Sequence, residues 1–464
     1  MFALYAVSGQ GGPKIAPARL STFVAATLTS PRTRGLRRAL AEVSRRVSGS
    51  PHRVHYFHQV DDPYSHLAAQ RLEALEARYA IDLVPHLVGP PSDAAAPERA
   101  RLEAFARKDA ADVAPGYGLT FPRRERPPDA AEVHLAACAL ADAIASRRFA
   151  EAAAPVGAAL WRGEPIPGGA ADAAAAQAAV EAGNALRRRL GHYLGAMFHY
   201  GGEWYWGVDR LRHLERRLTG LGLRRPGSGE GPLVARPETG DLRSAPQNSR
   251  VGERLGLELY LSLRSPYSYI AIERTLELAR RLSVDLALRP VLPMVMRGLP
   301  VPREKRLYIL LDAKREAESA GITFGRVCDP VGRPVERCFS LWRWSRERGR
   351  EAELLLSFSR AVFAEGVDAA TDAGMRRVAE AAGLPWSEAR ERLDRDDGWR
   401  DALEGNRQAL LAMGLWGVPS FRILGRSGES DFCTWGQDRL WRVETEIRSR
   451  LCAPVAGREG TAAD

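Results

Sequence analysis

The stretch that decides the fold is Leu257–Ile270, which reads LELYLSLRSPYSYI. It places leucine at every second position as far as Leu263, and this period of two predicts a β-strand. The segment after Pro266 reaches Leu282 without a glycine or a further proline and has apolar residues on one face, which predicts a helix. Ser265 therefore lies at a strand-to-helix junction, where unpaired backbone N–H groups and the helix dipole favour an anion.

The motif Ser265-Pro266-Tyr267-Ser268 has the spacing of the Cys-x-x-Cys pair that thioredoxin-like proteins carry at the same junction. Without the two sulfur atoms, the motif cannot perform a dithiol redox cycle. A hydroxyl beside the positive end of a helix is instead suited to holding the thiolate of another molecule. The alternative is that Ser265 and Ser268 only cap the helix, as serine often does.

The composition is that of an ordinary globular protein. The chain has 464 residues, which predicts two or three domains, and its hydrophobic and charged contents of 45% and 27% are typical. The net charge of +10 comes almost entirely from arginine. Because basic residues alternate with acidic ones, as in Arg346–Glu353, we expect no nucleic acid partner.

The cysteine and hydropathy patterns indicate the compartment. The five cysteines form no Cys-x-x-Cys pair and no cluster with histidine, so we expect reduced thiols and no metal site. No apolar run reaches the roughly 18 residues that a membrane span needs. The apolar segment Ser21–Ser30 is too short for a secretory signal and has no clear cleavage site after it. These patterns predict a cytoplasmic protein.

The order of predicted elements occurs twice along the chain. In each half, a strand, a helix and a second strand precede a helical block, two short strands and a final helix. Asp62-Pro63-Tyr64-Ser65 matches the motif at 265–268, and Trp206–Leu211 matches Trp435–Leu440 in the same order, so we infer an internal duplication. The predicted division is an N-terminal extension (1–50), a first domain (51–220), a linker (221–250), a second domain (251–452) and a C-terminal tail (453–464).

Two helices are predicted in and near the first domain. Arg37–Val47, in the N-terminal extension, has the pattern of a short basic amphipathic helix. The sequence leaves open whether this helix packs on the first domain or contacts an acidic surface. Ser65–Tyr79 predicts one continuous helix.

The second half resembles the 2-hydroxychromene-2-carboxylate isomerases and kappa-class glutathione transferases, in the DsbA-like branch of the thioredoxin fold. Three motifs carry the resemblance: the serine motif at 265–268, Gly-Val-Pro-Ser-Phe at 417–421 and Trp-Gly-Gln-Asp-Arg-Leu at 435–440. The resemblance spans about 257–450, and the first half shares it only at its two ends. It implies an α/β fold of two tandem thioredoxin-like domains, each with an inserted helical subdomain.

The resemblance also implies a glutathione site. In the family, the first serine of the motif holds the glutathione sulfur, which makes Ser265 the candidate catalytic residue. Pro419 corresponds to a cis-proline, which turns the backbone of Val418 toward the ligand. Asp438 lies where the family holds the γ-glutamyl end of glutathione, although it also suits the cap of the last helix. The candidate glutathione contacts are Tyr267, Ser268, Val418, Pro419, Gln437 and Asp438.

A third segment resembles the family's substrate-binding helix. Lys305 and Tyr308, in Pro302–Tyr308, correspond to a lysine and a tyrosine over the cleft and suit a substrate carboxylate and an aromatic ring. The alternative is a solvated helix face. The family's loop before this helix usually has an asparagine that contacts glutathione, and Leu292–Pro300 contains none, which leaves the identity of the thiol open.

The first half departs from the family at the reacting position. Asp62 stands where Ser265 does, and a carboxylate there repels a thiolate. Aligning Gly195-Ala196-Met197 with Gly417-Val418-Pro419 puts Met197 at the proline position. The first domain is thus interpreted as a non-catalytic copy that replaces the second subunit of the family's dimers. The alternative is that Asp62 acts as a general acid or base in a different reaction.

The function that the resemblance implies is a glutathione-dependent isomerase or transferase that acts on a small electrophile. Raising the thiolate fraction by lowering the thiol pKa about two units takes roughly 2.7 kcal/mol of anion stabilisation. A hydroxyl hydrogen bond and a helix end suffice for that. Two alternatives stay open: a DsbA-like protein-disulfide oxidoreductase and a non-catalytic binding protein.

Overall fold

The computed structural model describes residues 18–124, 126–168, 172–235, 237, 254–395, 398–426 and 428–452. The first 17 residues, the later part of the predicted linker and the predicted C-terminal tail lie outside these ranges. The strands in chain order are β1 (Arg53–Gln59), β2 (Asp82–Val88), β3 (Met197–Tyr200), β4 (Glu203–Trp206), β5 (Gly256–Leu261), β6 (Asp285–Pro290), β7 (Ser420–Ile423) and β8 (Phe432–Trp435).

The α-helices are numbered along the chain in the same way. They are α1 (Ala18–Thr29), α2 (Pro31–Val47), α3 (Pro63–Ala69), α4 (Leu72–Arg78), α5 (Arg99–Val113), α6 (Ala130–Ala145), α7 (Phe149–Arg162), α8 (Ala173–Arg189), α9 (Gly207–Gly220), α10 (Pro266–Leu282), α11 (Arg303–Ser319), α12 (Arg333–Glu347), α13 (Glu351–Arg360), α14 (Asp372–Ala381), α15 (Trp386–Arg392), α16 (Trp399–Ala412) and α17 (Leu440–Cys452).

The chain forms two compact units, and the first of them includes a segment from the second half of the sequence. Residues 1–236 and 294–327 form the first unit, and residues 237–293 and 328–464 form the second. Helix α11 therefore belongs to the first unit although it follows β6 of the second. The predicted domains were continuous in sequence and did not include this exchange.

Each unit contains one four-stranded mixed sheet. The strand orders are β2-β1-β3-β4 and β6-β5-β7-β8. In both sheets the first two strands are parallel and the other neighbours are antiparallel. The predicted mixed α/β class is confirmed, as is the predicted order of four strands in each half.

Strand β5 is buried on both faces rather than on one. Leu257 and Leu259 are buried as the alternation predicts, but Glu258 between them is only 5% exposed. The Glu258 carboxylate accepts hydrogen bonds from the Arg289 guanidinium at 2.6 and 2.9 Å and from the Tyr260 hydroxyl at 2.8 Å. A buried carboxylate needs such partners, and an alternation pattern alone does not reveal them.

The pairing of the strands corrects the alignment of the two halves. Met197 lies opposite Phe57 in the first sheet, and Ser420 lies opposite Tyr260 in the second. Since Phe57 and Tyr260 stand at equal distances before Asp62 and Ser265, Met197 corresponds to Ser420 rather than to Pro419. The residue at the proline position is Ala196. The equivalent bonds agree, because the carbonyls of Ala196 and Pro419 accept from Gly207 and Gly436 at 2.7 and 2.8 Å.

The helix predicted over Ser65–Tyr79 is divided into α3 and α4. Gln70 caps the carboxyl end of α3, and its side-chain amide binds the backbone of Thr120 through bonds of 2.8 and 3.0 Å. This long-range contact is not visible in the local pattern. The predicted basic helix at 37–47 forms as part of the longer α2.

Candidate functional site

The second unit brings the three motif regions to one edge of its sheet. Strand β5 ends four residues before Ser265, and its neighbour β7 begins directly after Pro419. Because β5 and β7 are antiparallel and Tyr260 pairs with Ser420, these two loops leave the sheet at the same end. Ser420 also pairs with Trp435, so the segment that leads to Gln437 starts there as well. The candidate site is this edge.

Ser265 is the N-cap of α10. Its Oγ accepts a hydrogen bond from the backbone N–H of Ser268 at 3.1 Å, in the geometry of an ordinary serine cap. The side chain is half-buried, and no described residue accepts the proton of its hydroxyl. The cap and a donor function therefore coexist in one hydroxyl, which has one proton to donate and two lone pairs.

Ser268 stabilises the fold next to the site. It is fully buried, and its Oγ accepts from the backbone N–H of Ser262 at 3.2 Å, which fixes the loop between β5 and α10. Tyr267, in the first turn of α10, is half-buried. The predicted glutathione contacts of both residues stay predictions.

The loop before β7 presents an unoccupied backbone segment. The Val418–Pro419 peptide bond is cis, as the resemblance implied. Val418 is half-buried, and its backbone N–H and C=O form no hydrogen bond within the described part of the chain. A partner molecule with peptide groups can pair with such a segment as an added strand does.

Trp435 covers the other side of this loop. A Cβ atom placed on Gly417 would lie 2.1 Å from the indole ring, so the close approach requires glycine at this position. The ring of Trp416 lies 5.6 Å from that of Trp435 at a tilt of 59°. The glycine of the Gly-Val-Pro motif thus positions an aromatic wall next to Val418.

Gln437 and Asp438 form a single 3-10 turn with Arg439 before α17. The Gln437 amide donates to Asp438 Oδ1 at 2.6 Å, and Gln437 Oε1 accepts from the Arg274 guanidinium at 2.9 Å. Both side chains are at least nine-tenths buried. The pair is thus held from α10, which orients the Asp438 carboxylate. Its predicted contact with the ammonium of a ligand stays a prediction.

Two arginines that the sequence analysis did not select support the site. Arg264, directly before Ser265, forms a bidentate ion pair with Asp329, with both N–O distances at 2.7 Å. Arg274 holds Gln437, as described above. Their partners lie 65 and 163 residues away in sequence, so no local pattern could identify them.

Lys305 and Tyr308 belong to the first unit, whereas Ser265 belongs to the second. The Lys305 ammonium donates to the carbonyl of Ala95 at 2.7 Å, and burial lowers its pKa to about 8. Tyr308 is 8% exposed and packs in a hydrophobic cluster with Phe57, Val88 and Met197. Lys305 thus forms a hydrogen bond to the backbone and Tyr308 packs in the core, and their predicted contact with a substrate stays a prediction.

In the first unit, Asp62 occupies the junction that Ser265 occupies in the second. Its carboxylate accepts from the backbone N–H groups of Tyr64 and Ser65 and from Ser65 Oγ, at 3.2, 3.0 and 2.8 Å. Burial raises the pKa of Asp62 to about 6, against the opposing effect of these bonds. Ser65 Oγ also accepts from the N–H of Ala196 at 2.9 Å, a bond that Pro419 cannot make in the second unit.

None of the five cysteines, all of which lie in the described ranges, forms a disulfide bond. Cys138, Cys328, Cys338 and Cys433 are buried, and Cys452 is exposed. Among the described residues, no group of three histidine, cysteine or carboxylate side chains is arranged to hold a metal ion. Within the same ranges, no helix combines the length and the apolar composition of a membrane span.

Comparison with known proteins finds one domain match, in the second half of the chain. The sequence profile of the DSBA-like thioredoxin domain matches residues 256–448. No curated protein matches the chain.

Several solved structures are distantly similar. A 2-hydroxychromene-2-carboxylate isomerase is 22% identical, with 42% of this chain and 96% of that one covered and a TM-score of 0.35. A probable DsbA oxidoreductase from Streptomyces coelicolor is 18% identical over 46% and 100% of the two chains, with a TM-score of 0.34. The cytosolic disulfide reductase DsbM from Pseudomonas aeruginosa is 22% identical over 43% and 100%, with a TM-score of 0.31. Residues 256–448 contain a DSBA-like thioredoxin domain.

Proposed function

We propose that the second unit binds glutathione or a similar thiol at Ser265 and directs it at a small electrophilic substrate, as an isomerase or a transferase. The observation that carries this proposal is the Ser265 hydroxyl, which caps α10 while its proton has no acceptor among the described residues. That proton can be donated to a thiolate. The adjacent helix end stabilises the same negative charge.

The remaining groups of the site suit the rest of such a ligand. The Val418 backbone is available to pair with a peptide group of glutathione. The Asp438 carboxylate, oriented by Gln437, suits an ammonium group. When bound, glutathione supplies a sulfur nucleophile that adds reversibly to an electrophilic carbon. The chain's part is to hold the sulfur, to lower its pKa and to fix its position.

The finer assignments belong to the same proposal. The equal strand orders of the two sheets support a tandem duplication. Asp62 and Ala196 support a first unit that holds no thiolate, and we propose that it takes the place of a second subunit. The four buried cysteines form no disulfide bond, which fits the reducing conditions of the cytoplasm, the proposed compartment.

Calorimetric titration of glutathione into the full chain tests the proposal. At a pH below the free thiol pKa, binding should release protons, because the site favours the thiolate. Ser265→Ala should weaken binding about 10-fold or more, since a hydrogen bond to a charged group contributes about 1.5–3 kcal/mol. The heat measured in two buffers of different ionisation enthalpy gives the number of protons released.

Thr371→Ala is the matched control for Ser265→Ala. Thr371 caps α14 in the same unit by accepting from the N–H of Gly374 at 3.0 Å, so its loss removes a cap far along the chain from the site motifs. Both variants should lose about 1 kcal/mol of stability, but only Ser265→Ala should lose binding and proton release. Equal binding by the two variants, or no binding by the unaltered chain, would show that the site does not hold a thiolate.

A further inference from the structure

Helix α2 contacts the rest of the first unit through charged side chains instead of apolar ones. The Arg34 guanidinium binds the Glu318 carboxylate at 2.7 Å, and Arg38 binds Glu203 through bonds of 2.8 and 2.9 Å. Arg45 donates to the carbonyl of Ser50 at 2.7 Å. No described side chain of α2 is buried. The helix is therefore held through its polar face, which is the reverse of an ordinary surface helix.

The opposite face of α2 is an exposed apolar stripe. Leu36, Leu40, Val43 and Val47 are 62%, 60%, 56% and 85% exposed. Their spacing of four, three and four residues places them on one side of the helix. Phe23 of the preceding helix α1 is 68% exposed as well. An ordered helix that keeps such a row in solvent indicates an interaction surface.

The flanks of the stripe are positively charged. Helix α2 contains six arginines and one glutamate. Of these, Arg32 and Arg37 lie beside the stripe and have no ion-pair partner within the described ranges.

This combination selects one class of partner. An apolar stripe bordered by arginines is the pattern of a helix that lies in the interface of an anionic bilayer. A second copy of the chain fits poorly, because a two-fold contact through the same face would bring the arginines of two α2 helices together. Acidic lipid headgroups, in contrast, neutralise all of them.

We propose that α2 binds the surface of an anionic lipid bilayer and attaches the protein to it peripherally. The four apolar side chains of the stripe enter the boundary between headgroups and acyl chains, and Arg32 and Arg37 contact the headgroup phosphates. The proposal does not depend on the thiol site, since all of the residues that carry it belong to the first unit.

Co-sedimentation of the full chain with vesicles tests the proposal. The probes are phosphatidylcholine vesicles with and without phosphatidylglycerol. We expect binding only to the anionic vesicles and a loss of binding in high salt. Leu36→Ser with Leu40→Ser should lower the partition coefficient about 10- to 100-fold, which corresponds to removing two inserted leucines. Arg32→Gln with Arg37→Gln should lower it about fivefold per charge.

Leu135→Ser is the matched control. Leu135 on α6 is 58% exposed but has no row of apolar neighbours with similar exposure, so its replacement should leave vesicle binding unchanged. All of the substituted side chains are exposed, and circular dichroism checks that each variant is folded. Failure of the unaltered chain to bind anionic vesicles would overturn the proposal. So would a dimer in sedimentation velocity that the Leu36 and Leu40 substitutions dissociate, because it would show that a second copy covers the stripe.

Discussion

The buried ion pair between Arg210 and Asp312 joins α11 to α9 within the first unit. Three hydrogen bonds of 2.8 to 2.9 Å connect the guanidinium to the carboxylate. Arg210 is 1% exposed and Asp312 is 0% exposed. Asp312→Ala leaves the guanidinium buried beside the Glu316 carboxylate, which lies at 3.4 Å. Removing one partner of a buried pair costs about 3–5 kcal/mol.

That cost is a large part of the stability of a domain, which is about 5–15 kcal/mol. We expect Asp312→Ala to lower the free energy of unfolding of the first unit by about 3–5 kcal/mol. Because the chain has two units, a single transition cannot be assumed. Urea denaturation followed by hydrogen exchange with mass spectrometry reports each unit separately, and the loss of protection should be largest in peptides from the first unit.

Two comparisons separate the ion pair from other effects of the substitution. Glu277→Ala removes an exposed pair with Arg280 on α10 and should cost no more than about 1 kcal/mol. The double variant Arg210→Met with Asp312→Leu should recover most of the lost stability, since apolar residues of similar volume replace buried pairs well. A cost below about 1 kcal/mol for Asp312→Ala, or a loss of protection confined to the second unit, would refute the assignment of α11 to the first unit.

Three other predictions concern single side chains. Asp62→Asn should flatten the dependence of the thermal midpoint on pH between about 4 and 6, measured by thermal denaturation at several pH values. The raised pKa of this carboxyl means that the wild-type chain loses stability as pH rises from about 4 to 6. Tyr308→Phe should keep or raise the thermal midpoint, because the buried hydroxyl has no hydrogen-bond partner among the described residues; a substrate role would instead appear as a lost activity. Gly417→Ala should abolish glutathione binding in calorimetry and lower stability, because a Cβ meets the adjacent indole ring, whereas Gly405→Ala, in open space, should do neither.

The sequence predicted the parts of the fold that local patterns control. The strand before Ser265 and the helix after it form as predicted, because alternation, proline and a serine cap act within a few residues. The family motifs identified Pro419, whose peptide bond with Val418 is cis in the structure.

The parts that the sequence did not predict depend on contacts between distant residues. The exchange of α11 rests on pairs such as Arg210 with Asp312, which are 102 residues apart. The bonds of Arg264 to Asp329 and of Arg274 to Gln437 likewise join residues that are far apart in sequence. The alignment of Met197 with Pro419 was wrong by one residue. It was based on matching Gly195 with Gly417, because the sequence alone does not show how the strands pair.

The two strand-to-helix junctions differ in whether the capping side chain can still donate a hydrogen bond to a ligand. Ser265 caps α10 and keeps a proton to donate. Asp62 caps α3 with a carboxylate that already accepts three hydrogen bonds and that repels a thiolate when ionised. Asp62→Ser alone would not make the junctions equal. Ala196, at the position of Pro419, has φ of 54°, whereas proline requires about −65°. The first unit would need a rebuilt loop as well as a new cap to match the second, and for this reason we propose the thiolate site in the second unit.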